Sequence, residues 1–61
     1  MTEQQIIEYM AQKGLSVEVN FTKNQVEIYI VDHYSDYFIN PKSIDLMKRQ
    51  LDEVVNHFKS K

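Results

Sequence analysis

Two short runs in the middle of the chain alternate apolar and polar residues, and a single hairpin register gathers their apolar members on one face. In the first run Leu15, Val17, Val19 and Phe21 alternate with Ser16, Glu18 and Asn20; Val26, Ile28 and Ile30 repeat the pattern within residues 26–32. Period two is the mark of a half-buried strand, because successive strand side chains point to opposite faces. The linking Thr22-Lys23-Asn24-Gln25 predicts a tight turn at Lys23-Asn24, with Asn24 as the residue that tolerates a positive φ. That turn sets Phe21 opposite Val26, Val19 opposite Ile28 and Val17 opposite Ile30. A slip of one residue would send one strand's apolar set to the wrong face, so pattern and turn support each other. The same register sets Glu18 opposite Tyr29 and Ser16 opposite Val31. Tyr29 and Val31 then add apolar surface to the side that should be wet.

The flanks read as helices. Thr2 and Gln5 form a capping-box pair, and Glu3 sits near the positive end of the helix dipole. Ile6, Ile7, Met10 and Ala11 form an apolar face over residues 2–13. Gly14 then stands where a left-handed cap is wanted, and Leu15 where such a cap places its hydrophobic contact. At the other end Asn40-Pro41 predicts a helix start, Asn as cap and Pro at the first helical position. Residues 41–59 run without a breaker, and Ile44, Met47, Leu51, Val54 and Phe58 recur at helical spacing, widened by Val55. Lys59 and Lys61 suit the negative end of that helix. Residues 32–40 stay open between a third strand over Tyr37-Phe38-Ile39 and an extended arm.

The predicted fold is a single α+β domain over residues 1–61: a two-layer α-β-β-(β)-α arrangement with an antiparallel hairpin covered by two helices. One sheet face and the sheet edges are left uncovered, which is a liability unless something covers them. A chain of 61 residues also buries a modest share of its surface. It has no cysteine for a disulfide, so a homodimer, formed at sheet edges or over the outer face, is the expected additional staple.

Composition narrows the chemistry. The net charge of −2 with both signs interspersed argues against a dominant electrostatic partner. No apolar run approaches a membrane span and the Met-Thr-Glu-Gln-Gln start is polar, so a cytoplasmic protein is expected, in the host cytoplasm if phage-encoded. Ile, Lys, Asn, Tyr and Phe fill 23 of 61 positions, a bias of AT-rich coding DNA that fits low-GC bacteria, their phages and plasmids.

No motif indicates an enzyme or a cofactor. Asp32-His33-Tyr34-Ser35-Asp36 contains hydrolase residue types, but triads are assembled from distant elements, and the single Gly14 supplies no oxyanion turn nearby. His33, Asp36 and His57 lack the tight ligand pairs of zinc motifs. Lys42, Lys48, Arg49, Lys59 and Lys61 are interleaved with Asp45, Asp52 and Glu53, as on a solvated helix face, so nucleic acid is not the expected ligand.

What remains is a set of rings with acids beside them. Tyr29, Val31, Tyr34, Asp36, Tyr37 and Phe38 are the expected protein-binding residues, since Tyr buries much area while keeping a polar tip. The reading preferred from sequence is a non-enzymatic protein-binding module, in its concrete form a small phage or mobile-element protein that binds and inhibits a host enzyme of antiviral defence. The alternatives are a nucleic-acid-associated regulator acting through the last helix, and a structural subunit of a larger assembly.

Overall fold

The computed structural model describes residues 1–59. The element order is α1 (Glu3–Gln12), β1 (Val17–Phe21), β2 (Val26–Ile30), a short 3-10 turn (Val31–His33), β3 (Ser35–Ile39) and α2 (Ile44–Lys59). The strands form one antiparallel sheet in the order β1-β2-β3. The domain is therefore the expected small α+β type, with the optional third strand present. Lys61, expected at the negative end of the last helix, lies outside the described residues.

The start of the fold follows its local signals. Thr2 caps α1 with a reciprocal capping box: its Oγ1 accepts from the Gln5 N–H at 3.2 Å, and Gln5 Oε1 accepts from the Thr2 N–H at 2.8 Å. The helix stops at Gly14, whose φ of +87° disfavours any other residue type. The Leu15 N–H donates to the Met10 carbonyl and the Gly14 N–H to the Ala11 carbonyl, both at 3.0 Å, which is the Schellman pattern. Leu15 and Met10 are both buried in the one core.

The hairpin has the register read from the alternation: Val17 faces Ile30, Val19 faces Ile28 and Phe21 faces Val26. The turn differs in mechanism. Thr22 Oγ1 accepts from the Gln25 N–H and donates to the Gln25 carbonyl, clamping the loop ends. Asn24 needs no positive φ; among the described residues Tyr34 is the non-glycine position that adopts one.

The second helix starts later than the Asn40-Pro41 signal implies. The Asn40 side chain accepts from the Lys42 N–H at 3.0 Å, closing a local Asx turn, while its own N–H donates to Gln50 Oε1 at 3.0 Å. Ser43 takes over as the cap, its Oγ accepting from the Leu46 N–H at 3.1 Å and its carbonyl from the Met47 N–H at 3.0 Å.

Both helices lie on the same side of the sheet, α1 over β1 and α2 over β3. Ile6 and Met10 from α1, Met47, Leu51, Val54 and Val55 from α2, and Val17, Val26, Ile28, Ile30 and Ile39 from the sheet join Leu15 in the core. All of these buried residues are apolar, and no buried polar side-chain atom among the described residues lacks a partner. Burying one such side chain is worth about 1.5–3 kcal/mol. The helical stripe thus packs within its own chain, against the hairpin. Its first member, Ile44, is the exception and stays 55% exposed at the start of α2. Phe21, at the far end of β1, also escapes the helical cover. No described helix is long and apolar enough to cross a membrane.

Candidate protein-binding surface

Strand alternation divides the candidate residues between the two faces of the sheet. On β3, Tyr37 pairs with Ile28 and Ile39 with Val26, so both share the helix-covered face. Tyr37 is partly buried there and meets the Phe58 ring edge-on, centroids 5.9 Å apart. Tyr37 therefore closes the edge of the core and does not share a surface with Tyr29.

Asp36 and Phe38 point the other way. The pairing aligns Glu18, Tyr29 and Asp36 in one row across the three strands, and Asn20, Glu27 and Phe38 in the next. These six residues make up the outer sheet face over the paired strands, opposite both helices. Phe38 is 57% exposed, and Tyr29 is half-buried between its neighbours. A shallow depression on this face is lined by Glu18, Asn20, Glu27, Tyr29 and Asp36. The face carries three carboxylates and no basic residue. As the whole chain has a net charge of −2, everything outside this face sums to +1.

Val31 and Tyr34 occupy the β2–β3 connection. Val31 leaves the strand for the 3-10 turn, its N–H still donating to the Ser16 carbonyl at 3.0 Å. Tyr34 ends that turn in the left-handed region, φ 53° and ψ 39°, with its side chain 85% exposed. A bulky residue at positive φ is uncommon and costs free energy, whereas glycine adopts it without strain. An aromatic ring is thus held in solvent at the corner of the sheet by a backbone geometry that disfavours it.

Two further side chains of this connection have defined partners. Ser35 Oγ donates to the backbone carbonyl of His33 at 3.1 Å, and the His33 ring stacks on Phe58 with centroids 4.1 Å apart. The Ser35 and His33 side chains therefore do not pair as nucleophile and base. His57 meets Phe58 edge-on from the last turn of α2. Among the described residues no group of three or more His, Cys, Asp or Glu side chains is placed to hold a metal.

Two further contacts escape a reading of local patterns because their partners are distant in sequence. One is the His33–Phe58 stack, which ties the 3-10 turn to α2. The other joins the helices: the Tyr9 hydroxyl donates to the Asp52 carboxylate, and Lys13 Nζ lies 5.5 Å from the Tyr9 ring centroid. This hydrogen bond, then partial burial and the carboxylate charge, raises the Tyr9 pKa above the ordinary tyrosine value.

No protein-family model, curated protein or solved structure matches this chain.

Proposed function

We propose that this chain is a non-enzymatic protein-binding module whose working surface is the open sheet face together with Tyr34. The observation that carries this reading is the placement of aromatic surface where the fold does not use it. Phe38 and Tyr34 stand in solvent, and Tyr29 lies between Glu18 and Asp36 on the sheet face opposite the core. Anchors of this type dominate binding energy when a partner encloses them, and flanking charges form the rim.

The concrete form we favour is a small inhibitor encoded by a phage or mobile element and directed at a host enzyme of antiviral defence. The AT-rich residue bias supports that origin. An acidic, aromatic face also suits enzymes with basic grooves, among them enzymes that handle nucleic acid. Homodimerisation fits the open β1 and β3 edges better than the outer face. Two-fold pairing of the outer face would oppose three carboxylates with three more, and like charges across an interface cost several kcal/mol.

The test is capture of partners on the immobilised chain, followed by affinity measurements on the captured protein with Tyr34→Ala and Phe38→Ala. Loss of about 2 kcal/mol or more in either variant is the expected result for an anchor. If both variants bind the partner as the wild type does, the surface is misassigned.

A further inference from the structure

The open sheet face has a charge and a shape that select among protein partners. Tyr29 lies on the central strand with Glu18 directly across on one neighbour and Asp36 directly across on the other. Directly paired residues have Cα atoms about 4.5–5.5 Å apart, so a carboxylate flanks the ring on each side. No basic residue on these strands' outer face neutralises either acid, and Glu27 in the next row adds a third negative charge. Glu18, Tyr29 and Asp36 line one depression together with Asn20 and Glu27 of the next row. A ring floor with an acid on either side is complementary to a flat cation with donors along its rim.

Resting on the protein-binding reading above, we propose that the Glu18–Tyr29–Asp36 row seats an arginine side chain presented by a basic surface of the partner protein. The guanidinium stacks on the Tyr29 ring and donates hydrogen bonds to the two carboxylates. Arginine fits better than lysine for three reasons. Its guanidinium is planar, it carries five donors in a fixed fork, and it is more weakly hydrated than an ammonium, so it loses less on leaving water. Stacking over a tyrosine adds cation–π attraction, and the rim charges speed encounter with a basic partner. A second copy of this chain is a poorer occupant, because its own outer face carries the same three acids and its arginine, Arg49, is flanked on α2 by Asp45, Asp52 and Glu53.

The experiment uses fluorescein-labelled octa-arginine and octalysine as probes, titrated with the full chain at fixed salt and read by anisotropy. Three variants are compared: Tyr29→Leu, the pair Glu18→Gln with Asp36→Asn, and a charge-matched control pair, Asp45→Asn on α2 with Glu8→Gln on α1, both exposed positions on the helical side. All are surface changes, and circular dichroism confirms that each remains folded. The expected result is octa-arginine bound more tightly than octalysine, weakened about fivefold or more by the outer-face pair and about two- to fivefold by Tyr29→Leu. The control pair should change affinity by less than about twofold, since its charges lie away from the seat.

Equal losses in both double variants would mean that net charge alone attracts the peptide, and the proposal fails. It also fails if the probes bind equally and Tyr29→Leu has no effect. Concentration-dependent self-association that the outer-face pair abolishes would assign the face to a second copy instead. The same variants applied to a captured partner separate the two levels of the argument. Binding lost in Tyr34→Ala but kept in the outer-face pair leaves the binding module standing and removes the arginine seat. Binding kept in every variant removes both.

Discussion

Replacing Tyr34 by glycine and by alanine should reverse the usual order of those two residues. At most positions glycine is less stable than alanine by about 0.5–1 kcal/mol, because it loses more backbone freedom on folding. At Tyr34 the backbone sits at φ 53° and ψ 39°, where an L-residue with a Cβ incurs roughly 1–2 kcal/mol. Both substitutions remove the same ring, which is 85% exposed, so lost burial cancels in the comparison. Taken near the middle of both ranges, the difference leaves Tyr34→Gly ahead of Tyr34→Ala by about 0.5–1 kcal/mol. For a domain of this size that corresponds to roughly 2–8 °C in Tm. Thermal and urea unfolding followed by circular dichroism, on both variants in one buffer, measures it. An alanine variant that melts at or above the glycine variant would refute the left-handed assignment, and with it the argument that strain is retained to hold the ring in solvent. Both variants should also lose partner binding, so the glycine variant separates stability from function.

Other outcomes follow from the packing and the interhelical hydrogen bond. Leu51→Ala, at a fully buried position of α2, should cost about 2–5 kcal/mol in urea unfolding, enough to bring a domain of this size close to its unfolding limit. Ser43→Ala should cost about 1 kcal/mol while Asn40→Ala leaves the start of α2 in place, which NMR secondary shifts would report. Tyr9→Phe should cost about 1 kcal/mol at neutral pH by removing the hydrogen bond to Asp52. The Tyr9 pKa is raised in the folded state, so its contribution is complete below the unfolded value of about 10 and is lost as pH rises through the folded value. Unfolding free energy measured from pH 8 to 11.5 should therefore fall at the alkaline end in the wild type and fall less in Tyr9→Phe.

The parts of the fold legible in the sequence are those specified by neighbours. The hairpin register was readable because alternation on two strands and the loop length between them agree. The first helix was bounded by a capping box and a glycine that act within a few residues. The start of α2 was misplaced because Asn40-Pro41 carries a strong local capping signal, whereas Ser43 caps the helix. Asn40 instead closes a local turn with the Lys42 N–H, and its own N–H donates to Gln50, a contact that no local pattern announces. The third strand was obscured because both of its faces carry large or charged groups: Tyr37 and Ile39 inward, Asp36 and Phe38 outward. The candidate surface was legible as a composition of rings and acids but not as a geometry. Assigning Tyr37 to the core side and Phe38 to the open side requires the β2–β3 register. The positive φ at Tyr34 had no sequence signal, since neither Gly nor Asn stands there.

The open sheet face is proposed as the place where this protein meets its partner. The most direct measurement is a 1H–15N NMR titration of the labelled chain with the captured partner. Perturbations should concentrate at Glu18, Tyr29, Tyr34, Asp36 and Phe38, while Asp45, Lys48 and Arg49 on the exposed side of α2 stay unchanged. Perturbations centred on α2, or on the groove between the helices lined by Met1, Gln5, Ile44 and Lys48, would contradict it.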